Sequence, residues 1–359
     1  MKMKTKLTLI NNLISQKGSS LQNIGLLNGK MGVCIYLFYL ARHTENQQYQ
    51  VQAEALLDDI WIKVEESPQS LDFGNGLAGI AWSTEHLMQN NFVAGDINEA
   101  LCDADDKIFQ YLTNIKEASL DLHDGLLGYG FYLVSRLQSY RKTDQSDQFF
   151  LLRRLLAELL NQVHAVVENK EYLLREPPAF QLKWKLPLLL ILLAKIKECG
   201  IYSRKVDVLI YSLEPFLLST FGANAANRYY LMLSVKQVLA AFNLPERWAY
   251  HIRMLEQNLN IQMINQEFSE IKIEPLSGLS GVVLLESLFC GEPVVSETFC
   301  KRIIASPYWD LIKEPEKTSP VEIGLQLGLS GILLCGLLSG SRRDYMLGET
   351  DQGTAEHVH

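Results

Sequence analysis

The sequence lacks the features that mark nucleic-acid-binding, disulfide-rich or membrane-spanning proteins. Lys and Arg total 33 against 41 Asp and Glu, a formal charge of −8, which argues against binding to a phosphate backbone or an anionic membrane surface. The six cysteines are far apart and form no C-x-x-C pair, as expected for free thiols in a reducing compartment. The longest apolar run, residues 186–194, is about half the length of a membrane span. We therefore expect a cytoplasmic protein with no nucleic-acid partner and no membrane span.

Signals for β-strands are almost missing as well. No segment alternates apolar and polar residues over a strand length, and no Asn-Gly turn joins two β-branched runs. Hydrophobic residues make up 48% and charged residues 21% of the 359 residues, which is typical of folded globular proteins. The composition therefore favours an all-α protein with a sizeable core.

A short G-x-x-G unit, followed at once by an apolar run, recurs five times. The first glycines of successive units are 47, 49, 153 and 50 residues apart, and the long step equals three steps of 51. Two further units without glycines are therefore expected near residues 176 and 227, which makes seven repeats in all. The five visible units are Gly29/Gly32, Gly76/Gly79, Gly125/Gly128, Gly278/Gly281 and Gly328/Gly331.

Each repeat reads as a pair of helices. The segments after the glycines, such as 33–38 and 332–335, are apolar on almost every face and predict buried inner helices. Segments with one apolar stripe, such as 51–64 and 149–167, predict outer helices. The terminal repeats lack the polar caps that an open array needs. The pattern predicts a closed (α/α) toroid of seven helical hairpins, forming one domain over residues 1–340 before a polar tail, 341–359.

Four ionisable residues are expected at one mouth of this toroid. Parallel inner helices would place their N-termini there, and the partial positive charges of those termini attract carboxylates. Asp72, Asp121 and Glu274 each lie four residues before the first glycine of a repeat, and His123 follows Asp121 by two. We predict these four as candidate catalytic residues. In the alternative interpretation, the carboxylates serve only helix-terminus electrostatics and His123 is a structural loop histidine.

Five more residues are candidates for ligand binding at the same mouth. Asn75, Asp124 and Ser277 directly precede a first glycine and are predicted N-caps, whose side chains would accept hydrogen bonds from first-turn N–H groups. Phe73 and Tyr129 are candidate aromatic platforms. Such platforms would favour a rival function, a glycoside-processing enzyme that uses paired carboxylates.

The glycine units also resemble those of the lanthionine synthetase C-like (LanC-like) family, the cyclases of lanthipeptide biosynthesis and their relatives. The resemblance extends over roughly residues 20 to 340. It implies an (α/α) toroid that holds one zinc ion through two Cys and one His, and the zinc activates a peptide Cys thiol for addition to a dehydrated Ser or Thr. The similar segments are GLLNGKMG (25–32), LDFGNGLAGIAW (71–82), LDLHDGLLGYGFYL (120–133), PLSGLSGVVLLESL (275–288) and GLQLGLSGILL (324–334).

The sequence departs from the family at the positions of the zinc ligands. The family ligands lie in a W-C-x-G unit of the fifth repeat and a C-H-G unit of the sixth. Here Leu276 and Ser277 occupy the sixth-repeat positions, and residues 221–227 contain no Cys. A family histidine of the fourth repeat has no counterpart in 177–185. The family acid of the third repeat, in a D-x-x-x-G-L-x-G setting, is matched by Asp121.

The resemblance therefore implies a LanC-like protein of ribosomal peptide maturation that lacks the zinc cofactor and the usual cyclase activity. Its expected partner is a peptide substrate bound at the mouth or a modifying enzyme. The sequence leaves open whether such a protein is a non-catalytic scaffold or an enzyme with changed chemistry at Asp72, Asp121, His123 and Glu274. No metal-binding residue is predicted.

Overall fold

The computed structural model describes residues 3–115, 119–140, 146–169, 171–290, 296–312 and 322–339. Within these ranges the chain forms helices joined by loops, with no β-strand. A short 3₁₀ helix, Glu171–Leu174, lies between the seventh and eighth α-helices. In chain order the α-helices are α1 (Met3–Ser20), α2 (Lys30–Thr44), α3 (Gln47–Glu66), α4 (Leu77–Gln89), α5 (Ile97–Asn114), α6 (Leu126–Ser139), α7 (Asp147–Asn169), α8 (Lys185–Cys199), α9 (Ser203–Ser219), α10 (Ala225–Ala241), α11 (Glu246–Gln257), α12 (Ile261–Glu267), α13 (Leu279–Phe289), α14 (Ser296–Ala305), α15 (Tyr308–Leu311) and α16 (Leu329–Leu338).

Seven of the described helices form a closed inner ring. They are α2, α4, α6, α8, α10, α13 and α16; each packs against the next, and α16 packs against α2. Five of them begin directly after the first glycine of a G-x-x-G unit, while α8 and α10 occupy the two repeats without glycines. The predicted all-helical toroid is confirmed. Its exact number of hairpins stays a prediction, because residues 291–295 and 313–321 lie outside the described ranges.

Burial separates the inner helices from the outer ones as the apolar patterns predict. Nine of the ten residues of α16 are buried, since this helix is enclosed by neighbours on all sides. In α3, by contrast, only Ala53, Leu56 and Ile60 of 20 residues are buried, and their spacing places them on one face. Among the helices described, none has the length and hydrophobicity needed to span a bilayer.

Helix α1 is an element that the glycine repeat does not predict. Its side chains Ile10 and Ile14 are 6% and 0% exposed, and the helix packs against α2, α3 and α16. It therefore covers the joint at which the last inner helix meets the first. Residues 341–359, predicted as a polar tail, lie outside the part of the chain that the structure describes.

The N-termini of the inner helices are not capped as the sequence predicts. The N-cap residue is the first glycine itself, for example Gly76 and Gly278, with an extended φ of −108° and −118° and no side-chain cap. The first-turn N–H instead donates to a backbone carbonyl seven residues earlier, from Leu77 to Ser70 at 2.8 Å and likewise from the residue after Gly278. The prediction that Asn75, Asp124 and Ser277 are N-caps is therefore wrong: the preceding loop folds back over the helix start, and its backbone satisfies the orphan donors.

A buried ionic cluster joins α4, α5 and α6 inside the toroid. Arg136, which is 0% exposed, places Nη2 2.7 Å from Oδ2 of Asp105 and Nη1 3.6 Å from Oε1 of Glu85. The Tyr132 hydroxyl also donates to Asp105. Asp105 and Glu85 are 1% and 0% exposed. One guanidinium thus balances two carboxylates in a part of the core that water does not reach.

Candidate functional site

The loops in front of the inner helices are joined by backbone hydrogen bonds at one mouth of the toroid. The six residues involved each lie two positions before the N-cap residue of an inner helix, and we call them the mouth ring. Because the bonds link neighbouring loops directly, they fix the spacing of the segments that carry the predicted site residues. The amide donates to the carbonyl from Leu182 to Leu276 (2.9 Å), Leu276 to Gln326 (3.1 Å), Gln326 to Leu27 (3.0 Å), Leu27 to Gly74 (2.7 Å) and Gly74 to His123 (2.8 Å).

The fifth repeat takes part in the mouth ring through a side chain. The backbone of Leu182, in the fourth repeat, pairs directly with that of Leu276 in the sixth. Tyr230 of α10 donates its hydroxyl to the Leu182 carbonyl at 3.2 Å. The fourth and sixth repeats therefore meet in front of the fifth.

His123 is held in one orientation by its neighbours in the second repeat. Nδ2 of Asn75 lies 2.9 Å from Nε2 of His123, and Oδ1 of Asn75 accepts from the amide of Asn28 at 3.2 Å, which defines the orientation of the Asn75 side chain. Because an amide nitrogen only donates, Nε2 accepts and the ring proton is assigned to Nδ1. Nδ1 lies 3.6 Å from Oδ1 of Asp72.

Gly74 provides the space for this imidazole ring. A Cβ atom at Gly74 would lie 2.2 Å from Cδ2 of His123, which is closer than non-bonded carbon atoms can approach. The amides of Phe73 and Gly74 both donate to the His123 carbonyl, at 2.9 and 2.8 Å. The backbone and the side chain of His123 are therefore both packed against the second-repeat loop.

The structure brings three of the four predicted catalytic residues together. Asp72 accepts from the Ser70 hydroxyl at 2.6 Å and from the Asn75 amide at 2.7 Å. Oδ1 of Asp121 accepts from the His123 amide at 2.9 Å, and Oδ2 lies 3.8 Å from Nζ of Lys185. We call Asp72, Asn75, Asp121 and His123 the mouth cluster.

Glu274 lies apart from this cluster. It accepts a hydrogen bond from the Ser277 hydroxyl at 2.8 Å within the loop of the sixth repeat. The helix after that loop, α13, packs against α10 and α16, whereas the mouth cluster precedes α4 and α6. Asp72 and Asp121 each contact His123, whereas Glu274 belongs to another sector of the ring.

Comparisons with known proteins agree with this architecture. Residues 20–177 match the family model described as lanthionine synthetase C-like protein. Over this stretch, which contains the mouth cluster, the chain is similar to the lanthionine synthetase C-like family. The solved structure of nisin cyclase has the same fold, with a TM-score of 0.63 over 96% of this chain and 98% of that chain, at 15% sequence identity. No curated protein sequence matches the chain.

The LanC-like family match ends before the fifth and sixth repeats, in which the resemblance places the zinc ligands. Leu276 offers no atom that could bind a metal, and the Ser277 hydroxyl donates to Glu274. At the start of α10, in the fifth repeat, the amides of Ala225 and Ala226 are bound by Glu267. Within the described ranges, no group of three or more His, Cys, Asp or Glu is arranged to hold a metal ion. The residues at the family ligand positions do not fit zinc.

The two aromatic candidates of this LanC-like chain are buried. Phe73 is 6% exposed and packs edge-on against Trp82, with ring centroids 5.7 Å apart. Tyr129 is 1% exposed, and burial, with smaller contributions from Tyr111, Asp72 and Asp124, raises its pKa. Neither ring offers an open stacking surface, which removes the observation that favoured a glycoside-processing enzyme. Asp124 itself is exposed at the mouth.

The repeat pattern of the sequence does not predict two carboxylates that bind the N-terminus of α10. Glu176 accepts from the Ala223 amide at 2.7 Å and from Nδ2 of Asn227 at 2.9 Å, and Glu267 binds the first amides of α10. Both lie outside the glycine frame, one in the loop before α8 and one at the end of α12. Together they stabilise the N-terminus of a helix that has lost its glycine unit. The only sequence signal for these two carboxylates is the missing glycine unit before α10.

Proposed function

We propose that this LanC-like protein acts in the maturation of a ribosomally made peptide, and that it binds or modifies the peptide at the mouth without zinc-dependent thioether cyclase chemistry. One observation carries the proposal. The mouth keeps an ordered cluster around the family acid Asp121, whereas Leu276 and Ser277 replace the sixth-repeat zinc ligands.

The mouth cluster is suited to binding a peptide. The side chains of Asp121 and His123 are 32% and 31% exposed, and that of Asp72 is 17% exposed. Among the residues that the structure describes, the partner of Asp121 Oδ2 is Lys185, whose Nζ lies 3.8 Å away, which is longer than a hydrogen bond. This oxygen can therefore accept a hydrogen bond from a peptide amide, hydroxyl or ammonium group.

The same contacts limit what the cluster can catalyse. A general base needs a ring nitrogen that reaches the substrate proton, but Nε2 of His123 accepts from Asn75 and Nδ1 faces Asp72. Without a metal, the Cys thiol of a peptide keeps a pKa of about 8.5, so little thiolate forms at neutral pH. Binding is therefore the primary role that we propose, with proton transfer by Asp121 as the reaction open to an active enzyme.

Replacing Asp121 with Asn tests this role. The change keeps the size of the side chain and removes its charge, so we expect peptide affinity to fall about tenfold or more, as for loss of a charge-assisted hydrogen bond. Binding is measured by fluorescence anisotropy with a library of Ser-, Thr- and Cys-containing peptides. Thermal unfolding should show an unchanged Tm.

The matched control is Asp58→Asn, which removes the same charge from an exposed position on the outer helix α3. It should leave peptide affinity at the wild-type value. If Asp121→Asn lowers the Tm but binds every peptide as the wild type does, the mouth carboxylates serve the helix termini only and the proposal is wrong.

The metal content provides an independent test. Because the ligand types are missing at the family positions, we expect the purified protein to carry well under one zinc per chain by elemental analysis. The protein should also keep its Tm after treatment with a chelator. Stoichiometric zinc that resists chelation would contradict this prediction, and His123 with Asp72 or Asp121 would then be the first ligands to examine.

A further inference from the structure

A cleft of about 470 Å³ lies between α1, α2 and α3, in the first repeat. It is separate from the mouth cluster, which belongs to the second and third repeats. Six of its nine lining residues are polar, and the other three are Leu37, Ala55 and Leu56. The polar lining residues are Ser15, Gln16, Ser19, Lys30, Gln52 and Asp59.

Lys30 differs in residue type from the equivalent position of four other repeats. It directly follows the first glycine of its unit, and four other units have a buried leucine there. Those residues are Leu77, Leu126, Leu279 and Leu329, none more than 2% exposed. Lys30 is nevertheless 3% exposed. It also lies in the first turn of α2, where the helix dipole disfavours a cation. Stability alone would select leucine at this position.

The lysine shares its carboxylate partner with a second lysine. Its Nζ donates to Oδ2 of Asp59, and Nζ of Lys63 lies 3.4 Å from the same oxygen. The hydrogen bond from Lys30 lowers the pKa of Asp59, so this carboxylate is ionised at neutral pH. Two ammonium groups thus share the Asp59 carboxylate beside the cleft, and Glu66 also interacts with the charge of Lys63.

Neutral donors complete the lining. The Ser15 hydroxyl, on α1, donates to Oε1 of Gln52, on α3, at 2.7 Å, which leaves the amide nitrogen of Gln52 as a donor on the same side chain. Ser19 and Gln16 lie within one turn of Ser15 on α1. The hydroxyl protons of Ser15 and Ser19 are already donated, to Gln52 and to the Gln16 carbonyl. A group that binds here therefore meets ammonium and amide donors, which suit the oxygens of an anion.

We propose that this cleft is a binding site for a small oxyanion, a phosphate or carboxylate group on a molecule small enough to fit between α1 and α3. The Lys30 ammonium is its anchor, and the side-chain amides of Gln16 on α1 and Gln52 on α3 orient the bound group. The site is independent of peptide binding at the mouth.

The test compares wild type with Lys30→Leu, using sodium phosphate and sodium acetate as probes. Calorimetry and thermal unfolding should show saturable binding of at least one of them to the wild-type protein, and the stronger probe identifies the preferred oxyanion. Lys30→Leu introduces the residue that four other repeats carry, so it should fold. Its affinity for the probe should be about tenfold or more lower, because a charge-assisted contact is lost.

Two controls separate a site from general salt effects. Lys197→Leu removes a lysine that pairs with Asp207 at 2.6 Å on the other side of the ring, and it should bind the probe as the wild type does. Sodium chloride at matched ionic strength accounts for screening. Saturable binding that Lys30→Leu retains in full, or the absence of saturable binding of both probes to wild type, would overturn the proposal.

Discussion

Replacing Arg136 with Met should lower the free energy of unfolding by about 3–5 kcal/mol, the cost of leaving a buried charge without its partner. The guanidinium makes its shortest contact, 2.7 Å, with Asp105, and both residues are at most 1% exposed. In the variant, Asp105 keeps the Tyr132 hydroxyl and Nε2 of Gln148 at 2.7 Å, but no cation remains. Urea unfolding at pH 7 measures the loss.

Glu85→Gln is the control within the same cluster. It leaves the pair of Arg136 and Asp105 intact, so its cost should be much smaller. Burial raises the pKa of Glu85 above its ordinary value of 4.5. The folded state therefore holds this proton more tightly than the unfolded state, and the resulting stability is present below pH 4.5 and lost as the pH rises through the folded-state pKa. Glu85→Gln should flatten that part of the pH profile. A loss below about 1 kcal/mol in Arg136→Met would mean that the cluster is not a buried ion pair.

Replacing Gly128 with Ala should destabilise the protein by about 3 kcal/mol, although alanine is the better helix former. A Cβ atom at Gly128 would lie 2.3 Å from the Leu122 carbonyl oxygen and 2.5 Å from Cβ of Phe73. Neither atom is at the flexible end of a side chain. The loop of the second repeat would have to move away from α6, and the contact between Gly74 and His123 would be strained with it.

Gly130→Ala is the matched control, since it makes the same change two residues later in α6. Its Cβ would meet Cδ2 of Leu192 at 2.5 Å, the far end of a side chain that can change rotamer. We expect a loss of no more than about 1 kcal/mol, because the gain in helix propensity offsets the repacking. Equal losses for the two variants in urea unfolding would show that close approach of the loop is not the reason for the glycine at position 128.

The site was only partly predictable from the sequence. The position four residues before the first glycine pointed to Asp72 and Asp121, which the structure places in contact with His123. It also included Glu274, which is at the same height but in another sector of the ring. Repeat position determines height along the toroid axis and leaves open which loops are neighbours at the mouth. Asn75 was predicted as an N-cap and proved to be the partner of His123, since the loop backbone satisfies the helix start.

The sequence by itself determined the helical class and the places where five of the inner helices begin. These properties follow from local periodicity and residue identity, which need no knowledge of distant contacts. Only the tertiary structure decided that His123 lies over Gly74, that Lys30 shares Asp59 with Lys63, and that Arg136 is buried between two carboxylates. These contacts join side chains from different helices and loops, and local periodicity does not determine which of them meet.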